Sequence, residues 1–331
     1  MTSHSKKDRL IMAGLFIAII ATLLISLNMG TMRVTPAEVF QTLIGNGSEQ
    51  NQLILFDFRL PRMIIALLIG AGMGISGAIL QSVTHNELAD PGILGINSGA
   101  GFAVVLFIYL THNNPVSTVF VLPLTALVGA VLAAVLIYSI SWKNGVTPIR
   151  LILVGIGINA AFSALIIVFQ LRMDPDNFTQ ATIWLSGNIS GTDWSYTLAL
   201  LPWILILLPF TIYKASTLDA LNLGDETAQG LGAAVEKERM LLLLAAVALA
   251  GASVSVGGAI AFLGLVTPHL ARKLVGVRHR HSLITTALLG ALLLLAADTI
   301  GRNILSPSEI PVGLVVSLLG GGYFVYLLMK S

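Results

Sequence analysis

Few residues of this chain are equipped for chemistry, and their placement is informative. Asp298 and Arg302 stand four apart, so on a helix they share one face and can neutralise each other. Arg59 and Arg62, in FRLPR, put two more guanidiniums directly ahead of an apolar run. His269, in TPHLARK, has no cysteine, second histidine or nearby carboxylate in sequence to complete a metal-ligand set. A structural role beside Pro268 is expected for it, and His279 and His281, in VRHRH, read as part of a basic loop. The absence of cysteine removes disulfides and thiolate ligands. No G-x-x-x-x-G-K-[ST] run is present to cradle a nucleotide phosphate. GAGMGISG has glycine spacing but lies inside an apolar stretch, where small residues serve close helix packing. With no constellation for acid-base, nucleophilic or metal chemistry, a catalytic role is disfavoured.

The elements that carry these residues are membrane spans. Of 331 residues 56% are hydrophobic and 10% charged, far from the roughly 25% charged of soluble domains. A spanning helix needs roughly 20 mostly apolar residues. Apolar runs predict about ten spans, at 11–28, 62–82, 93–111, 117–140, 150–171, 197–214, 240–257, 260–275, 283–300 and 312–329. The basic lead of the first resembles a secretory signal, but no small-residue cleavage site follows SLNMG, so it reads as a retained span. The stretch 239–276 is too long to cross a ~30 Å layer once, and Gly257-Gly258 is the natural break. AGMGISGAI at 71–79 echoes ASVSVGGAI at 252–260 five spans later, as an inverted repeat would.

Lys and Arg concentrate on the cytoplasmic side of membrane proteins. With both termini inside, thirteen of the 18 fall inside and five outside: Arg33, Arg59, Arg62, Arg172 and Arg302. The polar stretch LDALNLGDETAQGLGAAVEK, 218–237, is then cytoplasmic. Ser216 and Asp219 suggest a capped helix start, Leu218 and Leu221 share its face, and Gly224 ends it. Asp225 and Glu226 suit a second start, with Ala228, Leu231 and Val235 along one side. A leucine stripe on a short cytoplasmic helix needs a cover. Its acidic polar face points to a partner protein rather than to lipid headgroups.

LNLGDETAQGLG, GGAIAFLGLVTPHLARKLVG, LLLAADTIGR and SEIPVGLVVSLLGG, in that order, resemble the permease subunits of ABC importers for iron siderophores, haem and vitamin B12. FDFRLPRMIIALLIGAGMGISGAILQ and NELADPGILGINSGAG extend the likeness into the first half; it fails in the first span and around 40–52 and 111–118. Glu87 and Ala259 stand where the family usually has proline, and GGGYF replaces its Gly-Ala-Pro or Gly-Gly-Pro.

The resemblance implies an all-α fold of type II ABC importer permease, with residues 1–331 as one transmembrane domain and paired coupling helices at about 216–237. It implies that Leu218, Leu221, Gly224, Ala228, Leu231 and Gly232 sit at the joint with an ATP-binding subunit. Arg59, Arg62 and Arg302 would face acidic residues of an extracytoplasmic siderophore-binding protein, with internal pairing to Asp298 an equal alternative for Arg302. The pathway would run between two permease subunits past neutral residues, with Asn159 and Ser163 of the fifth span along it. Asn86, Leu88 and Thr147 would lie near the inner gate. The expected assembly is a homo- or heterodimer of permeases with two ATP-binding subunits, a binding protein and surrounding lipid, in the bacterial cytoplasmic membrane. Nucleic acid is not an expected partner. This chain would bind no cofactor, ATP and Mg being used by the partner. Cargo is read as iron(III)-siderophore, with haem or vitamin B12 as alternatives. An ion-coupled secondary transporter is a further rival, for which Asp298 is the one convincing intramembrane carboxylate.

Overall fold

The computed structural model describes residues 2–30, 34–92, 94–111, 118–143 and 145–330; Arg33 and most of the 111–118 loop lie outside them. The described chain is helical, and every predicted span has a helix. They are α1 Thr2–Asn28, α4 Leu60–Thr84, α5 Ile96–Thr111, α6 Thr118–Ser141, α7 Pro148–Gln170, α9 Trp194–Tyr213, α12 Val235–Gly257, α13 Leu263–Val275, α14 His279–Ile304 and α15 Val312–Lys330. Short helices α2 Pro36–Leu43, α3 Glu49–Gln52, α8 Pro175–Leu185, α10 Ala215–Leu221 and α11 Asp225–Gly230 complete the set, with a π-helical stretch Leu53–Arg59 leading into α4.

The ten helices differ in length. Among the described residues seven helices are long and apolar enough to cross a membrane, and α5 is a shorter apolar helix. α13 has only 13 residues, about 20 Å at 1.5 Å per residue. The reason lies in the segments ahead of α5 and α13. Residues 85–92, 94–95 and 258–262 are non-helical, yet Ala89, Asp90, Leu94 and Ile260 are buried. Irregular backbone at membrane depth is tolerated where protein or a cavity surrounds it. The break expected at Gly257-Gly258 is present: α12 ends at Gly257 and Gly258 takes φ +70°.

The core is built on α4. α14 runs antiparallel to it: Arg62 bonds Asp298 near one end and Ser82 meets His279 near the other. Midway Gly70 and Gly290 lie backbone to backbone, so closely that a Cβ on either would collide with the other's carbonyl oxygen. On another side Ser76 Oγ donates to the Ala246 carbonyl of α12 at 2.7 Å, and Gly72 abuts Ser253. α12 therefore also runs against α4, and the echoing segments 71–79 and 252–260 pass each other in opposite senses. α1, α6, α7 and α9 are largely unburied within the chain, the surface a bilayer requires to be apolar.

The cations sort by end. α1 and α14 begin together, with His281 Nδ1 3.0 Å from Asp8 Oδ2. α13 and α15 finish together, with the Lys273 ammonium 6.0 Å from the Tyr323 ring centre. Lys143, Arg150 and the 214–239 segment share this basic end, since Arg239 reaches both the Val146 carbonyl and Asp225. Arg59, Arg62 and Arg302 lie at the far end.

Candidate functional site

A cleft of about 430 Å³ opens where the two irregular segments meet. Asp90 and Gly92 of the first and Ala259 and Phe262 of the second form part of its wall, with Asn97, Ser98 and Ser317 adding polar groups. Asn97 Nδ2 donates to the Ile260 carbonyl at 3.1 Å, joining the segments. Its Oδ1 is buried without a hydrogen-bond partner among the described residues. Phe262 holds φ +66°, and its side chain packs on Gly320. Left-handed backbone is unfavourable for a bulky residue; here it turns the chain out of the irregular segment into α13.

Asn159 and Ser163 both line this cleft, supplied by α7. Asn86, Leu88 and Thr147 do not. They lie toward the basic end, where Asn86 Oδ1 accepts the Leu88 N–H at 2.9 Å and Thr147 is an exposed residue at the start of α7. Asn97, Ser98 and Ser317 escaped the sequence reading. The Asp-Pro-Gly turn of LADPGILG was the signal that could have pointed to them, because it interrupts an apolar run.

The far end carries a buried charge cluster. Arg62 donates to Asp298 Oδ1 from Nε and Nη2 at 2.9 and 2.7 Å, and from Nη1 to Glu309 Oε2 at 2.8 Å. Arg302 Nε lies 3.2 Å from Asp298 Oδ2 and its Nη2 donates to Ser26 Oγ. Arg59 donates to the Leu27 carbonyl. Ser190 Oγ donates to Glu309 Oε2 at 2.8 Å. Burial pushes the Glu309 carboxyl up, but the Arg62 and Arg302 charges and two hydrogen bonds outweigh it and hold it below the usual carboxylate range. Arg59, Arg62 and Arg302 are only 5%, 9% and 6% exposed. The three expected docking arginines are thus engaged inside the chain, and Arg302 makes the internal pairing with Asp298. For a secondary transporter Asp298 would have to be a free relay; two guanidiniums already neutralise it.

At the basic end, the leucine stripe is covered differently from expectation. Leu218, Leu221 and Ala228 are 0%, 1% and 0% exposed, because α10 packs on α4 and α14, and α11 on α10 and α12. Leu231 and Leu223 are exposed. The cover needed by Leu218 and Leu221 is therefore this chain itself, and the residues presented outward are Leu223 and Leu231. Gly224 (φ +97°) and Gly232 (φ +86°) flank α11 at positive φ, a conformation glycine adopts freely. The expected Ser216–Asp219 capping box is absent: α10 starts at Ala215 without a side-chain cap. Asp219 instead reaches His279. His269, expected to lack a carboxylate, lies 3.6 Å from Glu87, which is also 3.6 Å from Arg272.

An antiparallel bundle of apolar helices, with a polar cleft where two irregular connections meet and a pair of short helices at its basic end, defines a multi-pass membrane transport subunit. The FecCD transport family model matches residues 17–330, and the chain belongs to that family. It is 55% identical to the iron(3+)-hydroxamate import system permease protein FhuG of Bacillus subtilis (strain 168), covering 100% of both chains. It is 38% identical to the hemin transport system permease protein HmuU of Yersinia pestis, over 98% of this chain and 97% of that one. Among solved structures, a metal-chelate type ABC transporter in an inward-facing conformation superposes with a TM-score of 0.86 at 29% identity, over 97% of this chain and 99% of that one.

Proposed function

We propose that this chain is the permease subunit of an ABC importer that carries iron(III)-siderophore complexes, of the hydroxamate class, across the bacterial cytoplasmic membrane. The observation that carries the reading is the cleft where the irregular connections before α5 and α13 meet. Its polar groups include the neutral Asn97, Ser98, Asn159 and Ser163, as suits a bulky chelate whose iron arrives already coordinated. Full-length 55% identity to a hydroxamate permease supports hydroxamate as cargo ahead of haem, whose permease is 38% identical.

The rest of the assembly follows as proposal. All of 1–331 forms one permease domain, and the basic end faces the cytoplasm with both termini, as the cation asymmetry favours. A second permease subunit closes the open side of the cleft beside α7. Two ATP-binding subunits, which bind ATP and Mg, grip the α10–α11 segment. Leu231 and Leu223 make the contact, Gly224 and Gly232 shape it, and Leu218, Leu221 and Ala228 anchor it from beneath. Asn86, Leu88 and Thr147 border the inner gate. An extracytoplasmic binding protein docks on the far end. For Arg59, Arg62 and Arg302 to take part, its carboxylates must exchange with Asp298, Glu309 and backbone acceptors, so these arginines serve the rim from behind as well as from its face.

The test is uptake of 55Fe-labelled ferric hydroxamate, ferric citrate and hemin iron by a strain deleted for this chain and complemented with it. Restoration of hydroxamate-iron uptake alone supports the proposal; restoration of hemin uptake alone replaces it.

A further inference from the structure

Asp219 makes contacts that the coupling role itself does not require. One of its oxygens, Oδ1, accepts the His279 backbone N–H at 3.0 Å and contacts the same residue's Nδ1 at 2.7 Å. His279 Nε2 in turn lies 2.6 Å from Ser82 Oγ. His279 and Ser82 are each 5% exposed. The α14 N-cap, Arg278, supplies no side-chain hydrogen bond of its own. The carboxylate that satisfies the first N–H of α14 therefore belongs to α10, sixty residues earlier in the chain. An anion there also meets the positive end of the helix dipole.

The chain of contacts links three elements. α10 holds Asp219, α14 holds His279 and α4 holds Ser82. At their other ends α4 and α14 are joined again by Arg62 and Asp298, and at the middle by the Gly70–Gly290 contact. Beside the polar joint, His85 Nε2 lies 3.0 Å from the Leu221 carbonyl at the end of α10. An apolar interface alone would let α10 slide, because burial is non-directional. Directed hydrogen bonds fix its register.

We propose that Asp219 is a positioning residue for coupled transport. Through His279 and Ser82 it makes α10, α14 and α4 one rigid unit, so that a displacement imposed on α10 reaches the far end of α4. This rests on the importer reading for its consequence in transport, whereas the rigidity it asserts belongs to this chain.

Two measurements on the full-length protein test it. Because the chain has no cysteine, a pair of spin labels can be placed at Ser216→Cys on α10 and Arg280→Cys on α14, both exposed. The distance between them should stay the same, with a narrow distribution, in the nucleotide-free complex and in the complex trapped with ATP; Asp219→Ala should broaden or shift it. In proteoliposomes, 55Fe-desferrioxamine taken up per ATP hydrolysed should fall in Asp219→Ala and Ser82→Ala while ATP hydrolysis and retention of the ATP-binding subunit persist. Asp219→Asn, which keeps an acceptor oxygen, should recover most of the ratio. The Asp219→Ala, His279→Ala pair should be no worse than either alone, as expected for residues acting as one unit. An unchanged uptake-to-hydrolysis ratio in Asp219→Ala, or a wild-type label distance that changes with nucleotide, overturns the proposal. If no ATP-binding subunit associates with wild type, the importer reading fails; the rigid unit is then judged by whether Asp219→Ala broadens the label distance in the permease alone.

Discussion

Arg62 and Asp298 are bonded through two nitrogens of one guanidinium to a single carboxylate oxygen, across 236 positions of sequence. Asp298 is fully enclosed and Arg62 nearly so. Removing one partner of a buried pair leaves an uncompensated charge, which typically destabilises by about 3–5 kcal/mol. Asp298→Ala should therefore lower the thermal midpoint of the detergent-purified protein sharply and Asp298→Asn less so, read from tryptophan fluorescence on heating.

The backbone contact at the middle of the same helix pair makes a second prediction. Gly290→Ala places a methyl against the Gly70 carbonyl and should destabilise by about 1–3 kcal/mol, the usual range for overpacking. Gly322→Ala in α15, where a Cβ would meet nothing, is the control. It should leave the midpoint unchanged.

Glu309 supplies a pH dependence. Its folded pKa is held below the usual carboxylate range, so its contribution to stability is present above the unfolded pKa and is lost as pH falls through the folded pKa. Wild type should lose thermal stability on acidification from about pH 6 to about pH 3 more steeply than Glu309→Gln, which has no such carboxylate to protonate. Parallel slopes for the two proteins would contradict the assignment.

At the basic end, exposed and buried leucines should respond differently. Leu231→Glu and Leu223→Glu add charge to a solvent-facing surface. They should leave the folded permease intact while abolishing co-purification of an ATP-binding protein in mild detergent. Leu218→Glu buries a charge against α4 and α14 and should instead reduce the yield of folded protein itself.

Much of this architecture is legible in the sequence because bilayer spans must be apolar. The helices, the turn at Gly257-Gly258 and the sorting of cations between ends all follow from that one requirement. Asn159 and Ser163, which line the cleft, could be singled out because polar and small residues on an apolar helix are conspicuous. What escaped was tertiary. A leucine stripe on α10 reads the same whether its cover is a partner or the chain's own α4 and α14, and the second proved true. Arginines beside a span look like a rim, yet Asp298, Glu309 and Ser26 draw them inward from elements far away in sequence. The thirteen-residue length of α13 depends on Phe262 adopting φ +66°, and no residue propensity announces that.

The central claim is that the motor lies in another chain and acts through α10 and α11. The most direct measurement is accumulation of 55Fe-hydroxamate in proteoliposomes containing this permease, its partner subunits and the binding protein, with ATP inside. Uptake should stop when the partner's hydrolytic site is disabled and continue when a protonophore collapses the proton gradient. Uptake that survives the disabled ATPase, or that fails with the protonophore while ATP remains, would contradict the account.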